Sequence, residues 1–139
     1  MPETQSRKLA IALVCADWRQ HHRQTELVRR LGGLMRMKAL DLVALPGPDG
    51  LMKPERDAER KIVVGWIKLL VAAHHPKKLA VVAHERCAGH PVSDADHAHD
   101  VVETAKMVKS EIGMHLPVYA IVSQYRDELD WDLKLLERL

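Results

Sequence analysis

Phenylalanine is absent from the 139 residues, and only three tryptophans and two tyrosines accompany it, so the core must be built from aliphatic side chains. Cysteine is almost as scarce. Two residues exclude a disulfide-stapled scaffold, and in a reducing compartment such a pair reads as metal ligands, reactive thiols or core residues. No charge of one sign dominates: 21 basic and 19 acidic residues leave a formal charge of +2, and the electrostatic footprint of a nucleic-acid binder is missing. Long apolar runs are missing as well. The longest, Ile62 to Ala73, is broken by Gly65 and Lys68 and is too short to span a bilayer, and the polar stretch Met1 to Lys8 carries no secretion-signal core. These absences predict a cytoplasmic protein with neither nucleic-acid nor membrane partners. What is present, 47% hydrophobic and 29% charged residues, is the composition of one compact globular domain over residues 1–139.

Lys8 to Cys15 is a short, almost wholly apolar run suited to a strand buried on both faces of a parallel sheet. The polar segment Ala16 to Gln24 precedes a helix from about Thr25 that carries Leu27, Val28, Leu31, Leu34 and Met35. Asp41 to Leu45 reads as a second strand, stopped by the turn-rich loop Pro46-Gly47-Pro48-Asp49-Gly50. Pro54 suits the first turn of a longer helix reaching about His74, with Ile62, Trp66, Leu69, Leu70 and Ala73 on its apolar side. Leu79 to His84 is a third strand. Ser93 then caps a helix bearing Val101, Val102, Ala105, Val108 and Ile112, which Gly113 ends. Val118 to Ser123 is strand four, and a C-terminal helix through Trp131, Leu133, Leu135 and Leu136 starts at Asp127 or Asp130.

This alternation predicts a single-domain α/β fold, a mainly parallel β-sheet of order about 2-1-3-4 with helices on both faces. Ligands of such sheets bind beyond the carboxyl ends of the strands, at the point where strand order reverses, here between strands one and three. Cys15 ends strand one and His84 ends strand three. The motifs Cys15-Ala16-Asp17-Trp18-Arg19 and His84-Glu85-Arg86-Cys87 thus supply two thiolates and an imidazole, a donor set suited to zinc with one position left over. Water in that position is acidified to a pKa of roughly 7. Asp17 and Arg19 can project to the same side as Cys15, so that the carboxylate orients the solvent and the guanidinium holds the carboxylate. Alternatively, Asp17 ligates the zinc itself and closes the site. Either cysteine taken singly also reads as a buried thiol, and Asp17 with Arg19 as a surface ion pair.

A CxDxR motif after the first strand and an HxxC motif after a later one resemble the β-class carbonic anhydrases, in order and pattern from about Lys8 to Ser123. Ala83 and Ala88 stand where that family commonly has glycine, with Gly89 one place later; Trp18 replaces a small residue, and Pro46 to Gly50 replaces an Asn-Ala-Gly-type loop. The resemblance implies one zinc per chain held by Cys15, His84 and Cys87, a catalytic dyad of Asp17 and Arg19, and a homodimer or higher homo-oligomer. It implies a lyase in which zinc-bound hydroxide hydrates carbon dioxide reversibly to bicarbonate, the proton leaving through His21, His22, His90 or buffer. The same fold and ligands are similar to those of carbonyl sulfide and carbon disulfide hydrolases, and a non-catalytic zinc-binding module is a third reading. His90, His97 and His99 read most simply as a solvated helix start, with a second metal site or a proton relay as alternatives. Lys53, Arg56, Arg60 and Lys61 read as a solvated helix face.

Overall fold

The computed structural model describes residues 8–113 and 115–139. Five strands, β1 (Leu9–Cys15), β2 (Ala39–Leu45), β3 (Lys78–His84), β4 (Val118–Asp127) and β5 (Asp130–Arg138), form one sheet of order β2-β1-β3-β4-β5. The first four are parallel and β5 runs antiparallel to β4. The chain leaves β1 for β2 on one side and returns to place β3 on the other, so strand order reverses between β1 and β3 as the alternation predicts.

The α/β class read from the sequence is the one observed, with helices on both faces. Ala10, Ala12, Val14, Ala80 and Val82 face α1 (Leu27–Met35), which buries Leu27, Leu31 and Met35 against them. The opposite side chains of the same strands, including Ile11, Leu13, Leu79 and Val81, pack on α2 (Asp57–His74) and α3 (Asp94–Ile112). Every residue of β1 is buried, which is why its sequence is a continuous apolar run rather than an alternating one. Ser93 accepts the Asp96 N–H at 3.1 Å and caps α3, and Gly113 closes it.

Two expectations need correcting. The expected C-terminal helix is the strand β5: Trp131 and Leu133 project to the α1 side, and β5 pairs along the outer edge of β4, whose backbone groups a helix would leave unsatisfied. The expected apolar stripe of α2 is also rotated. Val63, Val64 and Ile67 are buried, whereas Ile62, Trp66 and Leu69 are 54%, 52% and 65% exposed. Because α2 is apolar around most of its circumference, periodicity alone does not say which stripe meets the sheet.

Trp131, 1% exposed, lies in one cluster with Leu27, Leu31, Tyr119, Ile121 and Tyr125, so β5 is bound to the core through this indole as well as through its ladder. Trp131→Ala should lower unfolding free energy by about 3–5 kcal/mol, read by denaturant titration; a loss under about 1 kcal/mol would show that β5 is not docked this way.

Candidate functional site

The carboxyl ends of β1 and β3 deliver Cys15 and His84 side by side. Arg86, in the left-handed region at φ 58°, then reverses the chain so that Cys87 comes back over Cys15. One ligand atom from each of Cys15, His84 and Cys87 lies within 4.8 Å of the others, and all three residues are buried. The two sulfurs are 3.9 Å apart. A disulfide requires about 2.05 Å, whereas two thiolates on a tetrahedral zinc with bonds of about 2.3 Å stand about 3.8 Å apart. The imidazole is set for the same purpose: its Nδ1–H donates to the Glu85 carbonyl at 2.7 Å, and its buried Nε2 has no partner among the described residues. The donor set therefore fits a zinc ion, and Cys15, His84 and Cys87 are the residues that would hold it.

Proton sharing between the sulfurs polarises the pair. The Cys87 thiol, aided by His84 and the Gly47 N–H, outweighs burial and pulls Cys15 down to about 4, so Cys15 is a thiolate at neutral pH. Cys87 is pushed up, first because it donates to Cys15 and then by burial. At His84 burial disfavours the imidazolium, but Cys15, the Glu85 carbonyl and Asp17 together outweigh it and the pKa rises.

Asp17 and Arg19 meet beside this centre. Arg19 Nε and Nη2 donate to Asp17 Oδ1 at 3.0 Å and Oδ2 at 2.6 Å, and the Arg19 backbone N–H donates to Oδ1 at 2.9 Å. Burial of Asp17 works against ionisation, yet these bonds prevail and hold its carboxyl below the usual range. Asp17 Oδ2 lies 3.7 Å from His84 Nε2, so the carboxylate faces the shared position. Arg19 in turn donates to the Arg86 carbonyl at 3.0 Å and lies over the Tyr125 ring, 5.0 Å from its centroid. Tyr125 stacks on Trp131 at 6.1 Å and 12°.

The sequence reading missed Tyr125 and Trp131 as supports of the dyad, because it placed no strand after residue 123. The alternation Trp131, Leu133, Leu135 was the available signal. It also missed the buried role of the loop after β2. A Cβ on Gly89 would fall 2.7 Å from the Gly47 nitrogen, so the two loops touch backbone to backbone. Arg56 is no solvated lysine-like residue, since it straps this loop through the Gly47 carbonyl at 2.6 Å and the Pro46 carbonyl at 2.9 Å. Two histidines expected at a solvated helix start, His90 and His97, are 2% and 0% exposed; only His99 of that trio is at the surface.

The protonation pattern has a calorimetric signature. Zinc uptake by the apoprotein at a pH above the raised His84 pKa should release about one thiol proton, from Cys87, rather than two. Release should increase as pH falls through the raised His84 pKa, because the imidazolium must then also lose its proton. Titration calorimetry in buffers of different ionisation enthalpy reads the count; two protons released above the His84 pKa would contradict the Cys15 thiolate.

No helix among the described residues is long and apolar enough to cross a membrane. No curated protein matches the chain. The family described as "Putative carbonic anhydrase" matches residues 5–136, nearly the whole chain, a span that includes the cluster and the Asp17–Arg19 pair. The chain belongs to that carbonic anhydrase family.

Proposed function

We propose that the chain hydrates carbon dioxide reversibly at a zinc ion held by Cys15, His84 and Cys87, with Asp17 and Arg19 serving the reacting solvent. The observation that carries this reading is the bidentate pair: Arg19 engages both Asp17 oxygens, at 3.0 Å and 2.6 Å, which favours the carboxylate as a hydrogen-bond acceptor beside the metal over a fourth ligand. Zinc bound there supplies a Lewis acid that makes hydroxide available near neutral pH. The depressed pKa keeps Asp17 an acceptor, and Oδ2 takes the hydrogen bond of the attacking oxygen and aims its lone pair at carbon. Arg19 fixes that carboxylate and balances its charge. For the departing proton, His21 is the exposed imidazole tied to the centre, through the Cys15 carbonyl at 2.9 Å. His90 is buried and bonded to Asp100, away from solvent. A cytoplasmic location fits two ligands that must stay reduced.

Zinc analysis and stopped-flow hydration on the purified chain test the reading. Cys87→Ser should lose the zinc of this centre together with the activity, and Asp17→Asn should keep the zinc while lowering kcat by about 10²-fold or more. Zinc held on both cysteines without any hydration above buffer would overturn it. Turnover of carbonyl sulfide or carbon disulfide instead would reassign the substrate.

We further propose that a second copy of the chain covers the outer face of α2 and the free edge of β2. Ile62, Trp66 and Leu69 on α2 and Leu42 on β2 form an exposed apolar surface, and Ala44 and Pro46 continue it to the strand end beside Cys15. Sedimentation should show a dimer or a higher oligomer that Trp66→Glu with Leu69→Glu converts to monomer; a monomeric wild type at assay concentration would sink the proposal.

A further inference from the structure

We propose that Glu85 is a positioning residue for the metal centre: its carboxylate takes the strand hydrogen bond that its own carbonyl would otherwise accept, and so leaves that carbonyl to hold the His84 ring. The inference rests on the reading of His84 as a zinc ligand and not on the substrate. The exchange shows where the ladder between β3 and β4 ends. The two strands are parallel, and His84 opposite Ser123 is their last pair. Parallel strands bond in evenly spaced steps that pass back and forth between the chains. The Glu85 N–H donates to the Ser123 carbonyl at 3.0 Å, so the next step in that series is the Tyr125 N–H onto the Glu85 carbonyl.

The Tyr125 N–H donates instead to Glu85 Oε1 at 2.8 Å, and the Glu85 carbonyl accepts from His84 Nδ1 at 2.7 Å. Tyr125 and His84 are both buried, so a peptide N–H and a ring N–H each need an acceptor, and the half-buried Glu85 side chain supplies the second one. A carbonyl only accepts, so Nδ1 carries the ring proton and Nε2 keeps its lone pair. That Nε2 is the buried atom left without a partner among the described residues, on the side of Cys15 and Cys87. The same carboxylate fixes the backbone of Tyr125, whose ring lies 5.5 Å from that of His84 at 34° and 5.0 Å from Arg19 Cζ. Glu85 thereby joins the imidazole ligand to the aromatic ring that supports the arginine.

Scalar coupling across hydrogen bonds in the isotope-labelled wild type reads the exchange directly. The Tyr125 nitrogen should couple to the side-chain carboxyl carbon of Glu85; coupling to the Glu85 carbonyl carbon would overturn the proposal without recourse to a variant. Zinc affinity, measured by competition with a chromophoric chelator, reads the consequence. Glu85→Gln keeps an acceptor oxygen at Oε1 and should stay near wild type. Glu85→Met should bind zinc about 10–100-fold more weakly and, once loaded, exchange its His84 Nδ1–H with solvent faster. Wild-type affinity with a protected Nδ1–H in Glu85→Met would also overturn the proposal. A wild type that takes up no zinc would remove the ligand reading itself, and the coupling experiment, which needs no metal, keeps that result apart from failure of this inference.

Discussion

The contact on which the site depends is the seat of one loop backbone on another. Gly47 and Gly89 approach so closely that a Cβ on either would fall 2.6 to 2.7 Å from backbone atoms of the other loop. Gly47 also occupies the left-handed region at φ 52°, which glycine adopts without steric cost. Were the loops even one methyl group further apart, the Gly47 N–H would leave the Cys15 sulfur, and the loop that carries Cys87 would lose its support. The position of the glycine in the second motif follows from this contact. The close approach falls on Gly89, two residues after Cys87, and not on Ala88.

Around that seat the structure places two buried polar groups of different chemistry. One is sulfur-rich and polarised by proton sharing, with a thiolate at Cys15 and a protonated Cys87. The other is an oxygen and nitrogen cluster of Asp49, His90 and His97. They share walls: His90 follows Cys87 by three residues, and Asp49 follows Gly47 by two. Burial makes each expensive without compensation, since an unpaired polar atom removed from water costs roughly 1–3 kcal/mol. Four residues of the turn-rich pentapeptide, Gly47 to Gly50, and the following Leu51 therefore lie buried, Asp49 at 2% and Leu51 at 0% exposure, while Pro46 stays at the surface.

Much of this was legible in the chain. β1, β3 and β4 announce themselves as apolar runs because both faces are covered, β2 is apolar with one side left exposed, and their order follows from alternation with helices. From that order alone, Cys15 and His84 become neighbours. What failed did so for identifiable reasons. In β5, Trp131, Leu135 and Leu136 fit a helical face as well as Trp131, Leu133 and Leu135 fit a strand, and the reversal between Asp127 and Asp130 contains neither glycine nor proline to mark it. In α2 the apolar residues surround the axis, so no stripe is singled out. Asp49 sits among prolines and glycines that read as solvent-exposed loop, and burial is a tertiary fact that turn propensity does not carry.

Asp17 lies between two cations in the proposed enzyme, and the balance between them decides what the fourth metal position holds. Against the metal stands Arg19, which holds both oxygens of the carboxylate. Arg19 alone, on a flexible side chain, would be a weak competitor, because a mobile ion pair contributes little. It is not alone. The Trp131 indole donates to the Arg19 carbonyl at 3.3 Å, Thr25 Oγ1 donates to the same carbonyl at 2.7 Å, and Tyr125 supports the guanidinium from beneath. Arg30 lies over Trp131, 4.4 Å from the ring to its Cζ, and so ties the stack to α1. The edge hairpin of β4 and β5, more than a hundred residues from Cys15 in sequence, thereby becomes the element that holds Asp17 on its arginine.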